Sequence, residues 1–318
     1  MDWKHALEAL SKISPATYCQ SFFLLASAGV LGVAILPDDL KTLMMDYGAR
    51  KSSSTSTTPP SSSSSSSSSS QENILLTIIN SLTTLTQVPH SWFGLFYLLS
   101  VGLSLFWLAQ FFFSGSLLRF IASTQSEATS TTILQVAVGW TMMFLQGTRR
   151  VYEHAVIIKP SSTSTMWVVH WLLGLFFYLA ISVSIWVEGS GAIMNKTATT
   201  AQTELIKIMV AVPAFLFAWV NQYKCHKHLA GLKKYSLPTE GMFRWFVCPH
   251  YTCECLLYLS MAVATAPKGT VVNQTLLSAV VFVAVNLGVT AAGTRKWYAA
   301  KFGSERIAGR WNMIPFVF

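Results

Sequence analysis

Charge is what this chain has least of. Asp, Glu, Lys and Arg make up 11 % of its 318 residues, where soluble domains carry about 25 %. A hydrophobic share of 52 % with 13 % aromatics and a mean hydropathy of +0.46 exclude a large soluble fold and indicate an all-α integral membrane protein. The five cysteines are an odd number with no CxxC pair, which excludes a secreted disulfide scaffold and a zinc ribbon and leaves reduced thiols. There is no GxGxxG turn, P-loop or HExxH helix, so Rossmann, nucleotide-triphosphatase and zinc-protease chemistry have no footing. The net charge of +9 does not imply nucleic-acid binding, because no soluble basic domain remains to carry it. The first apolar run lacks a small-residue cleavage site and continues at spanning length, so no cleavable signal peptide is expected.

What is present is a series of apolar runs. A bilayer core of about 30 Å takes about 20 apolar residues per helix. Seven segments approach that length: 17–36, 92–113, 132–152, 166–187, 204–222, 252–266 and 270–293. The expected fold class is therefore a seven-transmembrane helix bundle. Residues 1–49 hold the first helix, and 50–73 form a Ser/Thr/Pro-rich spacer that cannot bury a core. Residues 74–318 form the main bundle, which contains a loop over 223–251 and ends in a basic C-terminus. Residues 74–88 read as a short interfacial helix before Trp92.

An odd helix number puts the termini on opposite sides. With the C-terminus cytosolic, that side holds 16 of the 22 Lys and Arg residues, among them Arg149, Arg150, Lys224, Lys233, Arg244, Arg295 and Arg310. The asymmetry follows the positive-inside tendency. Two sequons, Asn195-Lys196-Thr197 and Asn273-Gln274-Thr275, fall on the opposite side.

Polar residues in a greasy chain concentrate where they act. The run Gln146-Gly147-Thr148-Arg149-Arg150-Val151-Tyr152-Glu153-His154 ends the third segment. It reads either as a snorkelling helix end with local Arg–Glu pairs or as a phosphate clamp, since guanidinium groups offer paired donors. Between Tyr223 and Tyr251 lie Lys224, Lys227, Lys233, Lys234 and Arg244, interleaved with Tyr235, Phe243, Trp245 and Phe246. Lysines supply potential for phosphates and aromatic rings can cover a planar base, although an ordinary cytosolic loop is also basic. Glu254 favours the functional reading, because a carboxylate one turn into an apolar helix is costly unless it is paired or serves a ligand.

The block Gln222-Tyr223-Lys224-Cys225-His226, then Phe243-Arg244-Trp245-Phe246-Val247-Cys248-Pro249-His250-Tyr251, then Glu254-Cys255-Leu256-Leu257-Tyr258-Leu259-Ser260-Met261-Ala262-Val263 resembles the C-terminal domain of steroid 5α-reductases. The Gln-Tyr-Lys-Cys-His and Tyr-Leu-Ser-Met-Ala-Val strings resemble the polyprenol reductase branch in particular. The ending Ile314-Pro315-Phe316-Val317-Phe318 is similar to that family's terminus, and the likeness covers most of 88–318. The resemblance implies a multi-pass reductase of the endoplasmic reticulum membrane with a cytosolic C-terminus. Its hydride would come from NADPH, and its substrate would be the α-isoprene double bond of a polyprenyl lipid, on the way to dolichol for N-glycosylation. By position it implies cofactor contacts at Arg150, Gln222, Lys233, Tyr235, Glu254 and Tyr298. His250 stands where the family usually has Asn, and Thr294-Arg295-Lys296 stands where a His is usual, which makes Arg295 a phosphate candidate.

An isolated alkene is a poor hydride acceptor, whereas one conjugated to a carbonyl accepts at its β-carbon. The aldehyde-level polyprenal is therefore the expected substrate. The oxygen that gains charge needs a proton donor, and the sequence offers Tyr298, Tyr152 and a protonated Glu153. The competing readings are a steroid or very-long-chain enoyl reductase, a catalytically dead scaffold, and a non-enzymatic seven-helix membrane protein.

Overall fold

The computed structural model of the chain describes residues 13–37, 41, 77, 80–124, 131–158, 164–195, 202–233 and 235–318. The 50–73 spacer and most of 74–79 lie outside the described residues. The long elements are helices, each starting where local chemistry favours it. Helix α1, Pro15–Ala34, has Pro15 at its first position and Ser14 Oγ accepting from Thr17 N at 3.2 Å. Strand β1, Gln87–Pro89, precedes α2, Phe93–Phe112, and the short α3, Ser116–Ser123. A capping box formed by Thr132 and Gln135 starts α4, Ile133–Tyr152, which runs into a π-helical turn at Glu153–Ile157. Strand β2, Thr165–Trp167, then leads into α5, Val168–Val187, and the short α6, Ser190–Asn195. The remaining helices are α7, Gln202–Gly231, α8, Pro249–Ala264, and α9, Gln274–Phe302, the last capped by Asn273 and ended by Gly303 at φ +93°.

Each of the seven expected segments is helical over most of its length. Five helical stretches are long and apolar enough to cross a membrane: Pro15–Ala34, His90–Phe112, Val168–Val187, Gln202–Gly231 and Gln274–Phe302. Their outer faces are apolar as well, with Leu98, Leu105, Phe176, Leu179, Met209, Val210 and Phe217 exposed. The other two differ for identifiable reasons. Helix α4 carries Gln135, Gln146, Arg149 and Arg150, and α8 has 16 residues, about 24 Å at 1.5 Å per residue.

Three boundaries depart from expectation. Tyr223–Gly231, expected as loop, continues α7, because Lys, Cys, His, Leu and Ala residues there sustain a helix until Gly231 ends it. Thr294–Phe302 likewise continues α9. The interfacial helix expected through residue 88 instead gives way to an antiparallel ribbon. In it Val88 faces Met166, and His90 N donates to Ser164 O at 2.8 Å. Pro89 tolerates this edge position because a two-stranded ribbon leaves one side of each strand unpaired.

The helices close into a ring. Helix α1 packs on α5, α5 on α2, α2 on α4, α4 on α7 and α8, α8 on α9, and α9 back on α1. Phe177 sits near its centre, its ring 5.9 Å from Phe23, 5.6 Å from Tyr258 and 5.5 Å from Phe282. At one end, buried Gln135 donates to Ala264 O at 3.0 Å and to Ala266 O at 2.8 Å, tying α4 to the end of α8.

That same end places the second sequon. Asn273 is fully buried, its Oδ1 accepts from Leu276 N at 3.0 Å and its Nδ2 donates to Thr265 O at 3.3 Å. The carboxamide that a glycan would need is therefore used as a helix cap. The side chain of Asn195 lies outside the described residues. Asn273→Gln should leave the protein's endoglycosidase-sensitive mass unchanged on a gel and should lower stability by about 1 kcal/mol through loss of the cap. A mass shift on mutation would show that Asn273 carries a glycan.

Candidate functional site

The ring encloses a cavity of about 780 Å³ whose lining comes from α2, α4, α5, α7, α8, α9 and the ribbon. Its wall divides by chemistry. One part, near the ribbon, is formed by Phe93, Phe96, Met166, Leu173 and Phe177 with His90, His154 and His170 among them. The other follows one face of α9, where Asn286, Thr290, Thr294, Trp297 and Tyr298 recur at helical spacing opposite His250 and Tyr251 of α8. Gly174 holds the apolar wall close, since a Cβ there would lie 2.5 Å from Phe96 Cζ.

Between the two parts lies a buried polar cluster. Gly147 lets α4 approach α2, for a Cβ there would meet Ser100 Oγ at 2.8 Å, and the following turn delivers Arg149 and Arg150. Arg150 donates from Nη2 to the Tyr97 hydroxyl at 2.6 Å, hydrogen-bonds Glu153, and lies 2.7 Å from His226 Nδ1. Arg149 donates to the Trp219 carbonyl, to Gln222 and, at 2.7 Å, to Gln146 Oε1, with its Nε 3.4 Å from Glu153 Oε1. Gln222 donates to Glu254 and, at 3.1 Å, to His250 O, while Gln146 Nε2 donates to Glu254 Oε2 at 3.2 Å.

Glu153 lies just past the end of α4 and is fully buried. Burial alone would raise its pKa. The hydrogen bond from His226 at 2.7 Å and the charges of Arg150 and Arg149 outweigh that and hold the carboxyl below the usual carboxylate range. It therefore remains an anion, balancing the paired arginines.

Of the residues expected at the site, Arg150, Gln222, His250, Glu254 and Tyr298 line the cavity. Glu153 stands behind Arg150, out of the lining. Tyr152 is half exposed and does not line it. Lys233 and Tyr235 lie beyond α7; Tyr235 has φ +66° and lies with Trp297 under Lys301, whose Nζ is 4.4 Å from the Tyr235 ring. Arg295 donates to Arg310 O at 2.5 Å and to Ile307 O at 3.3 Å, so its guanidinium is engaged by the C-terminal tail. The cavity also brings in Tyr97, Tyr178, Tyr258 and Asn286, which the sequence reading did not single out. Asn286 and Tyr97 carry a weak signal, being polar residues inside otherwise apolar spans.

The arrangement defines a class: a helical membrane protein with a polar-floored cavity enclosed by its helices. The family model described as 3-oxo-5-alpha-steroid 4-dehydrogenase matches residues 163–318. Polyprenal reductase of Saccharomyces cerevisiae is 32 % identical over 176 residues, covering 55 % of this chain and 62 % of that protein. Polyprenal reductase 2 of Arabidopsis thaliana is 28 % identical over 209 residues, with 56 % and 60 % covered. Human polyprenal reductase is 25 % identical over 257 residues, with 73 % and 78 % covered. Residues 163–318 are thus similar to the steroid 5α-reductase family, and the relatives matched are polyprenal reductases. It spans about three fifths of the length of the yeast and plant relatives it matches.

Glu153→Gln should remove the anion that faces Arg149, Arg150 and His226. Breaking such a buried pair costs about 3–5 kcal/mol, read as a lower unfolding midpoint in detergent. Because the folded pKa of Glu153 is depressed, its contribution is present above the unfolded value of about 4.3 and is lost as pH falls through the lower folded value. The stability gap between wild type and variant should thus be constant near neutrality and close only in acid.

Proposed function

We propose that this chain is an NADPH-dependent reductase of the endoplasmic reticulum membrane. In this reading it saturates the α-isoprene double bond of a polyprenal in dolichol synthesis, which supplies N-glycosylation. The observation that carries the proposal is the two-sided cavity, with an apolar aromatic wall on one part and a polar stripe on the other, joined at Arg150, Gln222 and Glu254. Similarity to polyprenal reductases of yeast, plants and human supports the substrate. The charge asymmetry of the sequence supports a seven-span topology with a cytosolic C-terminus.

The residues fit a nicotinamide cofactor on structural grounds. His250 Nδ1 is buried without a hydrogen-bond partner, and Asn286 presents a carboxamide to the same cavity. Glu254 would accept from a carboxamide, Tyr298 and Trp297 would flank a ring, and Lys233 would meet phosphate charge, while the Arg150 guanidinium is taken up by Glu153 and Tyr97. Bound there, the reduced cofactor supplies a hydride. The chain's own part is alignment and dryness. Phe93, Phe96 and Phe177 would hold the first isoprene units in line with the polar stripe, and the closed helix ring would exclude water from the reacting carbons.

Microsomes containing the protein, given NADPH and either a long-chain polyprenal or a 4-ene-3-keto steroid, should yield the saturated polyprenal by mass spectrometry. Turnover of the steroid alone would move the chain to steroid reduction, and no turnover at confirmed expression would refute the enzyme reading. Glu254→Ala should weaken NADPH binding about 10- to 100-fold, the worth of one hydrogen bond to a charged group, with membrane insertion intact. An unchanged affinity would remove Glu254 from the cofactor site.

A further inference from the structure

We propose that Tyr97 is the catalytic acid that protonates the substrate's carbonyl oxygen, with Arg150 positioned to hold the resulting phenolate. This inference deepens the reductase reading and rests on it. Tyr97 lines the cavity from α2, beside Phe93 and Phe96 of the apolar wall and 6.5 Å, ring to ring, from Tyr178. Its hydroxyl oxygen accepts a hydrogen bond from Arg150 Nη2 at 2.6 Å, and the Arg150 guanidinium carbon lies 4.6 Å from its ring centroid. A tyrosine hydroxyl has one proton and two lone pairs. With a lone pair taken by a cation, the proton remains to be given, and the negative charge left behind forms against a guanidinium already in place. Preorganised charge of this kind costs no rearrangement when the reaction occurs.

The other acids in or near the cavity are less well placed. Tyr258 and Tyr178 pack among aromatic rings, 5.6 Å from Phe177 and 6.0 Å from Phe96, and among the described residues neither hydroxyl carries a hydrogen bond from an arginine as Tyr97 does. Tyr298 stands toward the Trp297 and Phe302 end, its ring 6.0 Å from Phe302. Tyr152 is half exposed outside the lining. Glu153 is an anion enclosed by Arg149, Arg150 and His226, with no proton to donate. That enclosure also explains how Arg150 keeps its charge inside the bundle while leaving Nη2 for Tyr97.

The β-carbon of the conjugated aldehyde takes a hydride, two electrons and one proton, from the reduced nicotinamide, which is thereby oxidised. The C=C π pair shifts toward the carbonyl carbon and the C=O π pair moves onto oxygen. The Tyr97 O–H bond breaks as the enol O–H bond forms. The enol then tautomerises to the saturated aldehyde, and the Tyr97 phenolate recovers a proton from solvent. The geometry asks only that a conjugated carbonyl reach Tyr97, so the same role would serve an enone as well as an enal.

Tyr97→Phe should lower kcat about 10²- to 10⁴-fold, the range of general acid catalysis, with the KM for NADPH unchanged. Because Tyr97→Phe also deprives Arg150 of an acceptor, a second variant keeps the test independent of folding. Replacement of Tyr97 by 3,5-difluorotyrosine retains the hydroxyl and its bond to Arg150 but acidifies it, so the basic limb of the kcat–pH profile should move to lower pH. Wild-type kcat in Tyr97→Phe, or an unmoved basic limb in the fluorinated protein, overturns the inference while leaving the reductase reading standing. Steroid turnover with the same Tyr97 dependence would sink the polyprenal reading and keep the inference. A wild-type protein that saturates neither an enal nor an enone would sink both.

Discussion

The structure depends on the cost of keeping ions inside an apolar helix ring. Arg149, Arg150 and Glu153 are drawn from two turns of one helix end, and isolated charges there would be penalised by several kcal/mol each. They are tolerated because each is answered: Glu153 by both arginines and His226, Arg149 by the carbonyl of Trp219 and two glutamines, Arg150 by Tyr97. The answers come from α2, α4 and α7, so the cluster also fixes how those helices meet. A shift of α7 by one residue would turn Gln222 and His226 away together, since they occupy i and i+4 of one face.

That interdependence explains which features were legible in the sequence. The apolar runs were, because spanning length and hydropathy are local properties. Segments 92–113, 132–152 and 166–187 correspond to Phe93–Phe112, Ile133–Tyr152 and Val168–Val187. Gln222 and Glu254 were legible as polar residues on apolar helices, and the structure joins them by a direct hydrogen bond. What could not be read was pairing across helices. Nothing in the run from Arg149 to Glu153 says that its partner is His226, 73 residues away. Tyr97 and Tyr258 look like ordinary interfacial or core tyrosines until α2 and α8 are brought to the same cavity. Arg295 shows the opposite effect. A guanidinium beside Trp297 and Tyr298 reads as a phosphate contact, but the tail that folds back presents carbonyls of Ile307 and Arg310 to it.

The tail has a consequence for the cavity's polar end. Its residues Trp311 and Asn312 accept from Val247 N at 2.8 Å and Cys248 N at 3.0 Å, Arg310 donates to Pro238 O at 2.9 Å, and Thr252 donates to Met313 O at 2.5 Å. Chain end, loop 232–248 and the start of α8 are thus one packed unit around Tyr298. The basic residues of this region then fall into two kinds. Arg295 and Arg310 hold the unit together through backbone carbonyls, while Lys233 remains exposed on its surface. Any phosphate recognition in the proposed function would draw on the second kind.

The division of the cavity wall also bears on which substrates the proposed chemistry admits. A long isoprenoid cannot fit whole into about 780 Å³ together with a nicotinamide ring, so only its head need enter while the remainder stays in lipid. Discrimination between an isoprenoid aldehyde and a rigid fused-ring ketone would then rest on the few side chains that shape the apolar part. Phe96 packs directly on Gly174, where a Cβ would lie 2.5 Å from its Cζ. A polyprenal head is one flat, methyl-branched enal followed by flexible methylenes, whereas a steroid is a rigid fused ring system with axial methyls. The polar floor does not distinguish the two, because both present one carbonyl oxygen to it. Shape in the apolar part, rather than hydrogen bonding at the floor, is therefore the physical basis on which the proposed reductase would select its substrate.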